Sequence, residues 1–221
     1  MSPLQTIEVH PGTEPRATIV ILHGLGADGT DFLSFADEMR LQAAGPVRWV
    51  FPRAPERPVT INNGYPMRAW YDILGTGGSR PEDEAGLRET FAAVHALIER
   101  EIARGVPAHR IVLAGFSQGC AITLGAGLRC THRLAGLAGM SGYLPLAETT
   151  AGERDSANHD TPVFLAHGRS DAMVPIARGM AARDALAALG HDVQWEDYPM
   201  EHSVCMEEVT ALNRWLLQVW A

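Results

Sequence analysis

Ser117 is the residue best placed to do chemistry. It sits in the run Gly115-Phe116-Ser117-Gln118-Gly119, directly after the apolar stretch Ile111-Val112-Leu113-Ala114. A strand that runs through a Gly-x-Ser-x-Gly pattern into a helix makes a sharp turn, the nucleophile elbow, that leaves the serine hydroxyl exposed at the top of the sheet. The turn strains the serine backbone, so its neighbours must be small enough for strand and helix to approach, and Gly115 and Gly119 meet that need. The stretch from Cys120 to Leu128 is small and apolar and reads as a buried helix whose N-terminus points at Ser117. An oxyanion forming there would lie in a positive field. The pattern alone also arises by chance in a chain with 22 Gly, and it is the strand before and the helix after that favour the functional reading.

A serine hydroxyl is a poor nucleophile at neutral pH. An imidazole must take its proton, and a carboxylate must hold that imidazole in the right tautomer. His202 follows the predicted strand Val193–Tyr198, and Asp171 follows the predicted strand Pro162–His167. Both addresses are the carboxyl ends of strands, where open α/β sheets bind ligands. The chain order Ser, Asp, His is that of the α/β-hydrolase arrangement. Among the other histidines, His23 and His167 end strands and read as structural hydrogen-bonding residues. His95 and His109 belong to a helix and its exit turn, and His10, His132, His159 and His191 read as surface or loop residues. Of the rival acids, Asp155 and Asp160 fall in a polar loop, Asp184 in a helix, Asp192 and Asp197 in or near the last strand, and Asp72 precedes the serine, the wrong order for this arrangement.

These residues need a scaffold, and the chain supplies it as apolar runs alternating with helical patterns. Continuous runs at 17–22, 47–51, 111–114, 134–140 and 162–167 read as buried strands, the first led into by a hairpin from 6–9. Helices are expected from about Thr30 to Ala44, with Phe32, Phe35, Ala36 and Met39 on one face, and from Pro81 to Gly105, with Leu87, Phe91, Val94, Ile98 and Ile102 inward. Further helices start at Pro175 and after His202, the last with Val209, Leu212, Leu216 and Val219 inward, while Glu148–Asp160 reads as a surface loop. The pattern predicts a single domain over 1–221 of α/β class, with a mostly parallel central sheet, helices on both faces and no large lid domain.

At 221 residues, with 46% hydrophobic and 20% charged residues, the chain can bury a substantial core and shows no linker or repeat. A net charge of -8 without any Lys/Arg cluster argues against nucleic-acid partners and anionic membranes. Cys120, Cys130 and Cys205 have no metal or disulfide spacing and read as free thiols. No signal-peptide pattern and no apolar run of about 18 residues occurs, so a cytoplasmic setting without integral membrane association is expected. The sequence leaves open whether the chain is a monomer or a homodimer.

Two stretches depart from the strand–helix rhythm. His23-Gly24-Leu25-Gly26-Ala27-Asp28-Gly29 follows a strand and keeps backbone amides accessible, as the second half of an oxyanion hole must. It lacks both nucleotide-binding glycine patterns. Pro52–Arg80, rich in Pro and Gly (Gly75, Gly77 and Gly78 among them), surrounds Trp70-Tyr71-Asp72. It reads either as a cover that offers Trp70, Tyr71, Ile73 and Leu74 to a substrate, or as a surface excursion that Trp70 and Tyr71 pin to the core.

The segments 22–29 and 115–119, together with Ala69-Trp70-Tyr71-Asp72-Ile73, Met140-Ser141-Gly142-Tyr143-Leu144-Pro145, His167-Gly168-Arg169-Ser170-Asp171 and Tyr198-Pro199-Met200-Glu201-His202-Ser203-Val204, resemble the phospholipase/carboxylesterase family that includes acyl-protein thioesterases. The form of the first loop is similar to that of the bacterial carboxylesterase branch. The resemblance implies Ser117 as nucleophile, Asp171 and His202 as its partners, the backbone amides of Leu25 and Gln118 as oxyanion hole, and no cofactor or metal. The implied substrates are small carboxylic esters, acyl thioesters or lysophospholipids. A catalytically silent domain that only binds a ligand is the alternative, and it would call for a missing triad member or a blocked oxyanion loop. Cys120 departs from the family pattern, which carries a further glycine there, and altered packing is the expected consequence.

Overall fold

The computed structural model describes residues 3–75 and 81–221. Its centre is a seven-stranded sheet in the order β1 (Thr6–Val9), β3 (Val47–Pro52), β2 (Ala17–Leu22), β6 (Ile111–Phe116), β7 (Gly136–Met140), β8 (Val163–Gly168) and β9 (Val193–Tyr198). Every neighbouring pair is parallel except β1 and β3. Strands covered by helices on both faces bury both sets of side chains, which is why they appear in the sequence as continuous apolar runs. All of β2 and all of β7 are buried accordingly.

α2 (Glu84–Ala103), α3 (Gln118–Leu128) and α5 (Ile176–Ala188) pack one apolar layer through Leu87, Phe91, Val94, Ile122, Leu124 and Leu186. α1 (Ser34–Glu38) and α6 (Met206–Val219) pack the other, where Phe35, Leu212, Trp215 and Leu216 meet Phe51 and Phe164 of the sheet. Asp83 caps α2 through the Gly86 amide at 3.0 Å, and Gly105, at φ +94, ends it as the sequence suggests.

Four expectations need correction. β1 does not form a hairpin with β2; it crosses to pair antiparallel with β3, Ile7 opposite Phe51, where it covers an edge of the sheet. The helix expected over 30–44 is broken into a 3-10 turn at Gly29–Phe32, the short α1, and a 3-10 turn at Gln42–Ala44. Met39 turns extended (ψ 138), and the Arg40 amide donates to Asn213 Oδ1 of α6 at 2.7 Å, so the chain follows α6 while still burying Phe32, Phe35 and Met39. The polar stretch 148–160 holds α4 (Ala147–Glu153) and a 3-10 turn whose buried Asn158 ties down Cys130 O and His132 O. Within Pro52–Arg80 the chain folds a separate hairpin of β4 (Glu56–Val59) and β5 (Tyr65–Arg68). Residues 76–80 of that stretch, with Gly77 and Gly78, lie outside the described residues.

The tightest packing is at the crossing of α3 with β2 and β6. A Cβ on Gly119 would run into the Leu22 carbonyl, and one on Gly115 into the Gly119 backbone. Both obstacles are backbone and cannot swing away. Gly119→Ala is therefore expected to destabilise the fold by roughly 1–3 kcal/mol, a fall in Tm of several degrees for a chain of this size. A variant that melts like the parent would show that strand and helix have room to spare.

Candidate active site

Ser117 joins β6 to α3 and adopts φ 57, ψ −117, a conformation that L residues rarely occupy. Its amide donates to Met140 O at the end of β7 at 2.9 Å, and the Ala121 amide bonds its carbonyl at 3.2 Å. The backbone is thus fixed from a strand and a helix at once, while the hydroxyl is left facing the cavity.

The structure brings the three sequence-predicted side chains together. His202 Nε2 stands 2.9 Å from Ser117 Oγ, and His202 Nδ1 stands 2.7 Å from Asp171 Oδ2. A carboxylate can only accept, so Nδ1 carries the hydrogen and Nε2 is left to accept from the serine hydroxyl. Asp171 is buried, and its Oδ1 accepts from the amides of Met173 at 2.9 Å and Val174 at 2.8 Å. Phe116 lies against the imidazole with ring centroids 4.7 Å apart.

His167 and His23 are structural. His167 Nε2 meets Val174 O at 2.7 Å, bracing the turn that presents Asp171, and His23 accepts from the Ala54 amide through Nε2 while its Nδ1 meets Gly24 O at 2.7 Å. Burial holds both imidazoles below the usual histidine range, hence neutral near pH 7. His191 departs from its surface reading, being buried with Nδ1 on Thr161 O at 3.0 Å. The rival acid Asp197 pairs with Arg169 at 2.6 Å, and Asp72 takes the amide and hydroxyl of Thr60 at 2.7 and 2.5 Å.

A cavity of about 1090 Å³ opens on Ser117 and His202 at the carboxyl ends of the strands. Leu25 and Gln118 both line it, and Gln118, as the first residue of α3, has no acceptor for its amide within the helix. One flank comes from the α1 and α6 side, with Phe32, Phe35, Val204 and Val209; the other comes from the hairpin stretch and α5, with Ile61, Tyr71, Ile73, Met173 and Val174.

Of the four proposed wall residues, Tyr71 and Ile73 line the cavity, and Trp70 and Leu74 do not. Leu74 is exposed away from it. Trp70 is fully buried because its indole N–H donates to His23 O at 2.8 Å and its ring lies 5.0 Å from that imidazole. Its amide donates to Gln118 Oε1 at 3.1 Å, and Gln118 Nε2 donates to Tyr71 O at 2.9 Å. Trp70 pins the stretch to the elbow while Tyr71 lines the cavity. Sequence reasoning missed Phe32, Phe35, Met173 and Val204 as wall residues, since their apolar character signalled core or loop and only the break in the 30–44 helix turns the first two towards the cavity.

Cys120 fits the packing role expected of it. A Cβ at Gly139 or Gly142 would meet its side chain, and burial pushes its thiol up to about 12, which keeps it protonated.

An α/β sheet in this order, with a strained serine at the first turn of a buried helix and an imidazole within reach of it, is the architecture of the α/β-hydrolases. The chain matches the model of the Phospholipase/Carboxylesterase family over residues 5–220. It belongs to that family and is an enzyme of the serine hydrolase class. Similar relatives include acyl-protein thioesterase 1 of Yarrowia lipolytica, 36% identical over 98% of this chain and 97% of the relative, and acyl-protein thioesterase 1 of Neurospora crassa, 40% identical over 91% and 86%. Among solved structures, acyl-protein thioesterase 2 of Zea mays superposes with a TM-score of 0.87 at 30% identity, covering 98% of this chain and 99% of the maize protein. Among the described residues no helix is long and apolar enough to cross a membrane.

Behind the site, Glu208 in the first turn of α6 is buried, with neither carboxylate oxygen hydrogen-bonded. Burial pushes its pKa up to about 8, with the Cys205 backbone acting in the opposite direction. The folded pKa lies above the ordinary value of 4.5, so the favourable contribution of the neutral acid is complete below the ordinary value and is lost as pH rises through 8. Glu208→Gln is expected to shrink the loss of stability between about pH 6 and about pH 9 by up to about 2–3 kcal/mol. Parallel Tm–pH curves for variant and parent would show that Glu208 finds a partner in solution.

Proposed function

We propose that the chain hydrolyses carboxylic esters and acyl thioesters through an acyl-enzyme on Ser117, with His202 as general base and acid and Asp171 as its orienting partner. The hydrogen-bonded relay from Asp171 through His202 to Ser117 Oγ carries this reading. Ser117 Oγ attacks the carbonyl carbon as its proton passes to His202 Nε2, and the imidazolium so formed is held by Asp171. The carbonyl oxygen, now negative, is received by the amides of Leu25 and Gln118 at the positive end of α3. Collapse breaks the bond to the alcohol or thiol, which leaves with the proton from Nε2. Water, deprotonated by the same nitrogen, then attacks the acyl-enzyme, releases the acid and restores Ser117. The names of the relatives, acyl-protein thioesterases, support including acyl thioesters among the substrates.

Ser117→Ala should abolish turnover, a loss of the order of 10⁶ in kcat, while the variant melts like the parent. Asp171→Asn should cost roughly 10³ to 10⁴, because an amide presenting its N–H₂ to Nδ1 selects the wrong tautomer. Turnover retained by the alanine variant would remove Ser117 from the chemistry, and a parent that binds esters without any turnover would make the domain a binding module.

Both flanks of the cavity carry apolar side chains, Phe32, Phe35 and Val209 on one and Ile61, Ile73 and Val174 on the other. Each acyl methylene buried there contributes up to ~0.8 kcal/mol, so kcat/KM for soluble esters should rise up to about fourfold per methylene and level off once the cavity is filled. A jump in rate when the substrate passes its solubility limit would show instead that a large element has to move off Ser117.

A further inference from the structure

Arg178, in the first turn of α5, lines the same cavity as Ser117 and His202. Its guanidinium carbon sits 3.5 Å from the centre of the Tyr143 ring, and Tyr143 Oη is 2.7 Å from Tyr71 Oη, so the cation rests on an aromatic pair that forms part of the wall. A cation held over a ring face is fixed in place while its N–H donors remain available. Among the described residues no carboxylate pairs with Arg178. Arg53, Arg68, Arg88, Arg100, Arg104 and Arg129 each find an acid, while Arg40, Arg110 and Arg154, also without one, donate to backbone carbonyls outside the cavity. The acids that line the cavity, Asp31 and Glu38, come from the α1 side, the flank opposite α5. The cavity is therefore polarised across the serine, and the N-terminus of α5 adds its own positive field at the Arg178 flank.

We propose that Arg178 binds an anionic group of the substrate, a carboxylate or phosphate, so that the preferred esters or thioesters carry a negative charge on either the acyl or the leaving part. This rests on the hydrolase reading above and specifies its substrate class. A planar guanidinium pairs with the two oxygens of either group.

Two matched pairs of esters test it. In one, para-nitrophenyl hexanoate is compared with the para-nitrophenyl monoester of adipic acid, which places the charge on the acyl part. In the other, the para-carbamoylphenyl and para-carboxyphenyl hexanoates place it on the leaving part. In at least one pair, Arg178→Gln should lower the anionic-to-neutral ratio of kcat/KM about tenfold, mainly through KM. Arg178→Glu should lower it further, Arg178→Lys should restore part of it, and the parent's preference should fade between roughly 0.05 and 0.5 M salt. The pair that responds identifies the part bearing the charge. Ratios within about twofold of the parent in both pairs would overturn the assignment. Calorimetric binding of the same esters to Ser117→Ala protein, with and without Arg178→Gln, keeps the two readings apart. Anionic esters that bind tighter and lose that advantage with Arg178→Gln, in a parent without turnover, would retain the anion site and reject the hydrolase. Turnover with unchanged ratios would do the reverse.

Discussion

The structure depends on one close approach, the contact of α3 with β2 and β6 at Gly115 and Gly119. Because Gly119 lies on the Leu22 carbonyl, α3 can start only one residue after Ser117, and the serine must take up a positive φ to make the turn. That strain is held by bonds on both sides, from the Ser117 amide to β7 and from the Ala121 amide back to its carbonyl. The same approach brings the loop after β2 beside the elbow, where a Cβ on Gly24 would be only 3.4 Å from that of Ser117. Two segments nearly a hundred residues apart thus line one cavity, and they could not do so if the helix stood off the sheet by the width of a methyl group.

The second constraint is electrostatic. Asp171 is buried as a carboxylate, which is tolerable because two backbone amides and the Nδ1 hydrogen of His202 surround it. His167 braces the turn carrying those amides and is itself kept neutral by burial, so it adds no rival charge beside Asp171. Glu208 shows what burial does without such partners: its pKa is pushed up to about 8.

These constraints explain what could be read in the sequence. The parallel sheet was legible because strands buried on both faces must be apolar throughout, and the site because strand ends and glycine-flanked turns leave local signatures. The failures share a cause. The segment 30–44 has a helical spacing of Phe32, Phe35 and Met39, yet the bond from Arg40 to Asn213 ties it to an element 173 residues away. β1 pairs with β3 through a register that no local pattern announces. Trp70 and Leu74 looked like wall residues because exposure cannot be inferred for an aromatic or a leucine in a long loop, and only the His23 carbonyl and the Gln118 side chain decide that Trp70 points inward.

Gln118 links these points. Its backbone begins α3 beside Ser117, while its side-chain amide holds both the Trp70 amide and the Tyr71 carbonyl. Tyr71 in turn meets Tyr143, on which Arg178 rests. The residue that begins α3 next to Ser117 is thus the first link of a chain of contacts reaching the cationic wall. Because both ends of the Gln118 amide are used, rotating it would leave a buried donor and a buried acceptor unpaired, a loss of roughly 1–3 kcal/mol for each. The wall is therefore held in one register relative to the serine. The position of Tyr71 in the cavity wall and the start of α3 beside Ser117 are therefore fixed by a single side chain.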